Sequence, residues 1–122
     1  FTNYICYAES EDGKTWTKPA LELFDDLGSK RNNIVIHCAE LAKVFVDPLE
    51  EDPAARLKMF VYLNGRPPLH GGTGECLLAS GDGIHWKFLG GFNKPPYSRE
   101  DQGNYTDTYS FLFDPLQRRY LA

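Results

Sequence analysis

The 122-residue chain has one methionine and three cysteines, Cys6, Cys38 and Cys76. An odd number at wide spacing argues against a disulfide framework, and without a Cys-x-x-Cys pair a structural zinc site is not expected. The three thiols are expected as small buried residues. No apolar run is long enough to cross a membrane. Positive charge is in deficit: 13 Lys and Arg against 17 Asp and Glu, a net charge of −4. That removes the basic footprint of nucleic-acid binding. Gly71-Gly72-Thr73-Gly74 is followed by no Gly-Lys-Ser/Thr, so it lacks the groups that make a phosphate-binding loop. No metal and no cofactor are expected.

What is present points to strands. Aromatics reach 14%, and 11 Gly and 8 Pro are spread along the chain. Aromatic and β-branched residues suit a pleated, half-buried surface, and Gly and Pro mark the turns between.

The strongest signal is an internal repeat. Ser10-Glu11-Asp12-Gly13-Lys14-Thr15-Trp16 recurs as Ser80-Gly81-Asp82-Gly83-Ile84-His85-Trp86, and Cys6 and Cys76 align at the same offset of 70 residues. Val44-Phe45-Val46-Asp47-Pro48 recurs as Phe111-Leu112-Phe113-Asp114-Pro115 at an offset of 67. Arg56 to Tyr62 is then echoed by Arg118 to Ala122, with a connecting loop about six residues shorter. Each copy carries the same parts in order. A strand ends in Asp-Pro, a second strand follows (57–63), a third (75–79) runs into the Asp-Gly turn, and a fourth (86–90) leaves it.

Four short strands per unit of about 70 residues match a propeller blade, longer than the usual spacing of roughly 40–50. The excess lies in two long loops, 20–40 and 90–107. The expected fold is all-β: a β-propeller fragment with one complete four-stranded antiparallel blade (38–92), the end of the preceding blade (1–24) and the start of the next (107–122). Both chain ends fall in strand-like segments, as expected of a piece cut from a larger protein. A single blade cannot bury both its faces, so the remaining blades of a parent chain are the expected partner.

In the Asp-Gly turns, Gly takes positive φ without cost and the Asp carboxylate accepts backbone N–H groups. Asp12, Asp82, Asp47 and Asp114 are therefore expected as turn staples, with each Trp packing across its blade. Antiparallel order puts these short turns at one end of the blade. The long loops, with most of the polar candidates, fall at the other.

There Glu40 and Asp107 align at the 67-residue offset, each immediately before a presumed innermost strand (41–46 and 108–113). Equivalent carboxylates on adjacent blades would converge on one pocket, and two carboxyl groups flanking a bond are what glycosidic cleavage needs. Asp107 and Glu40 are thus the catalytic candidates. Asn32, Asn33, His37, His70 and Arg99 are the expected substrate-binding groups, with a sugar hydroxyl or a metal as the alternatives for the two histidines.

Several segments resemble five-bladed propeller glycoside hydrolases of the invertase, levansucrase and arabinanase-like superfamily (family 32/43-like). They are Tyr7 to Pro19, Asn32-Asn33-Ile34-Val35, and Asp107 to Pro115 with Arg119-Tyr120. The resemblance implies hydrolysis of plant or microbial glycans by acids at the channel ends of inner strands. Glu75-Cys76 resembles the Glu-Cys acid/base motif of invertase-type enzymes, but is expected on a third strand away from the channel. The Trp-Met-Asn-Asp-Pro nucleophile motif is absent, and neither Asp-Pro follows Arg. The Asp-Gly-x-x-Trp turn also resembles the Asp-box of sialidases, one residue shorter. The other readings are a sialidase-like propeller, a non-catalytic carbohydrate-binding propeller, and a protein-interaction propeller. A secreted or periplasmic location stays open, because the true N-terminus is expected to lie outside this sequence.

Overall fold

The computed structural model describes residues 3–63, 74–91 and 112–121. Among them there is no helix, and eight strands form three antiparallel sheets. Strands β1 (Tyr4–Cys6) and β2 (Ile34–His37) pair in one sheet. Strands β3 (Ala39–Val46), β4 (Leu57–Leu63), β5 (Gly74–Ser80) and β6 (Lys87–Gly91) form a four-stranded meander in sequence order. Strands β7 (Leu112–Asp114) and β8 (Arg119–Leu121) form a hairpin.

The register explains the core. Met59 lies opposite Leu78, and Val61 opposite Cys76, so these residues share one face of the meander. All four are at most 1% exposed, and Val35, Ile36 and Ala39 pack with them. The β1–β2 sheet thus covers this face. On the opposite face Lys58, Phe60 and Ala79 are buried too. There the Tyr120 ring of β8 lies tilted against Phe45, with centroids 6.0 Å apart. Its hydroxyl donates to the Asp47 carboxylate. A strand buried on both sides has no polar face, and β4 reads Leu-Lys-Met-Phe-Val-Tyr-Leu.

The two Asp-Gly turns repeat atom for atom. Asp12 Oδ1 accepts the N–H of Lys14 and Thr15 at 2.7 Å, and Asp82 Oδ1 that of Ile84 and His85 at 2.8 Å. The Ser10 and Ser80 hydroxyl oxygens accept from Gly13 and Gly83 at 2.8 and 2.9 Å. Both glycines have positive φ, 70° and 77°. The Asp-Pro turns repeat likewise: Asp47 Oδ1 accepts Leu49 N–H, and Asp114 Oδ1 accepts Leu116 N–H, each at 2.9 Å.

Several expectations need correcting. The loop expected at 20–40 contains β2, which zips onto β1 through Ile34–His37. Trp86 packs against the core and donates Nε1–H to Gly83 O at 2.9 Å. Trp16, its repeat equivalent, is 58% exposed, because no described strand lies across from it. Cys76 is buried and burial pushes its thiol up, but Cys6 is exposed. Arg119 lies opposite Asp114, whereas Asp47 bonds to Arg56. Four residues (115–118) separate Asp114 from Arg119 and eight (48–55) separate Asp47 from Arg56, so the loop of the later copy is shorter by about four residues rather than six.

Candidate functional site

The Asp turns gather at one end of the meander: a Cβ on Gly81 would sit 2.9 Å from Ala54 Cα, in the loop after Asp47. The opposite end is where β3 begins, β4 finishes and β5 starts. There Glu40 pairs with Tyr62, and Tyr62 with Glu75. Residues directly opposite on antiparallel strands point to the same face. Glu40, Tyr62 and Glu75 therefore form one row across β3, β4 and β5, all half-buried. Neighbouring strands lie about 4.8 Å apart, which puts the two glutamate backbones about 10 Å from each other.

Glu40 was expected just before the strand; it lies inside β3 as its second residue, because pairing with β4 extends to Ala39. Its surroundings are irregular. Between Glu40 and Lys43 the register slips, so that Leu41 and Ala42 both stand opposite Val61. Leu41 and Cys38 adopt left-handed backbone, at φ 59° and 53°. Bulges re-aim side chains and are common beside active sites, and left-handed non-glycine residues cost energy that the surrounding structure must offset. The bulge keeps Glu40 and Lys43 on the Tyr62 face while Ala42 reaches the core.

β1 and β2 supply the neighbours. Asn3 Nδ2 donates to Glu40 Oε2 at 3.1 Å, and Asn3 O accepts Ala39 N–H at 3.3 Å. His37 lies between two rings, stacked on Phe24 at 4.9 Å and tilted on Tyr4 at 4.8 Å. The Tyr4 hydroxyl donates to Asp26 at 2.7 Å. The His37 Nε2 is buried and meets no hydrogen-bond partner among the described residues.

The two asparagines work on their own loop. Asn32 Nδ2 donates to Phe24 O at 2.9 Å and Ser29 O at 3.1 Å, and its Oδ1 accepts Ile34 N–H at 3.1 Å. Asn33 Nδ2 donates to Tyr7 O at 2.5 Å. Both amides therefore hold the chain that leads into β2. Asp107, His70 and Arg99 lie outside the described residues. Of the expected site residues, Glu40 and His37 are brought to one end of the molecule by β2 and β3. Glu75 joins them through the strand register. Its only sequence signal was the Glu75-Cys76 pair, and alternation alone indicates that a buried Cys76 turns Glu75 to the other face.

Among the described residues no group of three or more His, Cys, Asp or Glu could hold a metal ion. The most buried ionic cluster belongs to the other end: Lys58 Nζ lies 3.3 Å from Asp47 and 2.8 Å from Glu50, and donates to Ala55 O at 2.6 Å. No family model, curated protein or solved structure matches the chain.

Proposed function

We propose that the chain is a unit of a carbohydrate-active β-propeller, and that the complete propeller, not this unit alone, acts as a glycoside hydrolase on plant or microbial glycans at the Glu40 end of the meander. The observation that carries this reading is the row Glu40–Tyr62–Glu75. An aromatic face flanked by two carboxylates suits a sugar ring: the ring stacks, and the carboxylates reach hydroxyls or the glycosidic oxygen. Inverting enzymes hold their two carboxyl groups roughly 6.5–9.5 Å apart, and retaining ones about 5–5.5 Å. Glutamate side chains leaning together from backbones about 10 Å apart span the first range. Asp107, which aligns with Glu40 in the sequence repeat, is the other carboxylate proposed as catalytic.

The propeller reading is supported by the repeat and by packing. The four-stranded meander has a two-stranded sheet on each face, and each shares its turn chemistry. Blades of a propeller are stacked in this way.

The test is release of reducing sugar from fructan, arabinan and xylan, alongside Asp107→Asn. Hydrolysis that falls at least 100-fold in the variant supports the reading. Hydrolysis unchanged in Asp107→Asn removes that residue from the mechanism. Glycan retention on a column with no sugar released replaces hydrolysis by carbohydrate binding.

A further inference from the structure

The His37 imidazole has a nitrogen that the fold encloses and leaves unused. Its Nε2 is buried and meets no hydrogen-bond partner among the described residues. Such an atom has given up water without gaining a hydrogen bond in return. Two aromatic rings pack on the imidazole. Tyr4 stands opposite His37 in the β1–β2 register, and Phe24 stacks on it from the loop that leads into β2.

Phe24 opens a tip, residues 24–31, that is bonded mainly to itself. Asp26 and Ser29 exchange backbone hydrogen bonds at 2.9 and 3.1 Å across Leu27-Gly28, both at positive φ. That is a two-residue hairpin turn. Asp25 Oδ1 accepts Gly28 N–H at 3.0 Å and tightens it. At the base, Leu21 and Leu23 pack on the core, and the Asn32 amide clasps Phe24 O and Ser29 O. Among the described residues, a single hydrogen bond ties the tip to a strand: the Tyr4 hydroxyl donates to Asp26 at 2.7 Å. A segment held by its own bonds and one latch opens as a unit.

This cover adjoins the carboxylate row. Consecutive residues serve both: Tyr4 carries the latch, and Asn3 donates to Glu40. His37 and Glu40 lie on either side of the left-handed residue Cys38, where the chain passes from the β1–β2 sheet into the meander.

Resting on the carbohydrate reading above, we propose that residues 24–31 are a lid, and that its opening offers the His37 Nε2 to a hydroxyl of the glycan bound at Glu40. A neutral imidazole nitrogen is a donor or an acceptor according to tautomer, and a sugar hydroxyl answers either. An enclosed atom is out of reach of any group elsewhere in the parent chain until its cover moves.

Fluorine NMR and calorimetry on the complete propeller test this, with 4-fluorophenylalanine at position 24 and short oligosaccharides of fructan, arabinan and xylan. Without sugar, Tyr4→Phe removes the latch hydroxyl and should populate a second fluorine resonance, that of the open lid. Added oligosaccharide should populate the same resonance in the unmodified protein. His37→Phe keeps a ring in the stack and loses the nitrogen. Oligosaccharide affinity should then fall about tenfold or more, while the melting temperature holds or rises, because the unpaired nitrogen is gone. A fluorine resonance that neither Tyr4→Phe nor oligosaccharide changes overturns the lid. Unchanged affinity in a folded His37→Phe protein overturns the hydroxyl contact. An unmodified protein that binds none of the three sugars overturns the carbohydrate reading and the hydroxyl contact with it, whereas binding together with either of the other failures overturns the lid or its contact alone.

Discussion

Asp82 and Asp12 each hold a turn by accepting two successive backbone N–H groups, and this lowers their affinity for protons. The His85 side chain, then the N–H groups of His85 and Ile84, hold the Asp82 carboxyl well below the usual carboxylate range. The N–H groups of Thr15 and Lys14 hold Asp12 at about 2. A carboxyl depressed in the folded state adds stability above its unfolded pKa of about 3.9, and that stability is lost as pH falls through the folded value. Thermal unfolding followed by circular dichroism should show stability falling below about pH 4. Asp82→Asn should flatten the fall between about pH 4 and pH 2, by at most about 1 kcal/mol because the side chain is half exposed. Gly83→Ala should cost about 1–2 kcal/mol in denaturant unfolding, because Gly83 sits at φ 77°. Gly90→Ala, with nothing within 4 Å of the new Cβ, should change little. These turns were legible in the sequence because their chemistry is local: Ser, Asp and Gly at fixed spacing dictate the hydrogen bonds. The position of Glu40 was less so, since the bulge at Leu41 depends on how β3 meets β4.

Between elements, the β3–β4 turn carries the largest buried charge. Lys58 is held by Asp47, Glu50 and Ala55 O, and Asp47 also accepts from Leu49 N–H and the Tyr120 hydroxyl. Burial opposes ionisation of Asp47, but the Tyr120, Leu49 and Lys58 hydrogen bonds outweigh it and keep its pKa low. Asp47→Ala should cost about 3 kcal/mol in denaturant unfolding, since it leaves the Lys58 ammonium short of a partner. Lys58→Met with Asp47→Ala together should recover part of that loss. The second, third and fourth strands of the meander were readable to within a residue or so, because Gly and Asp-Pro signals bound them. β2 was not: Ile34–His37 is four residues long inside a polar stretch, and becomes a strand only by pairing with β1.

At the scale of the whole molecule, Tyr120 ties the β7–β8 hairpin to the meander. Burial and its hydrogen bond to Asp47 push the Tyr120 phenol up to about 12. Absorbance titration should show a tyrosine ionising that late, and Tyr120→Phe should remove that step. The repeat made the stacking of sheets legible, since equal turns imply equal units. Convergence at the other end was not, because Glu40, Tyr62 and Glu75 are brought together by register across 35 residues of chain. The most direct test of that convergence is glycan hydrolysis by Glu40→Gln, with thermal unfolding as the control. Turnover should fall at least 100-fold while the melting temperature stays within a few degrees of the unmodified protein. Unchanged turnover in a folded Glu40→Gln protein would contradict a reaction centred on that row.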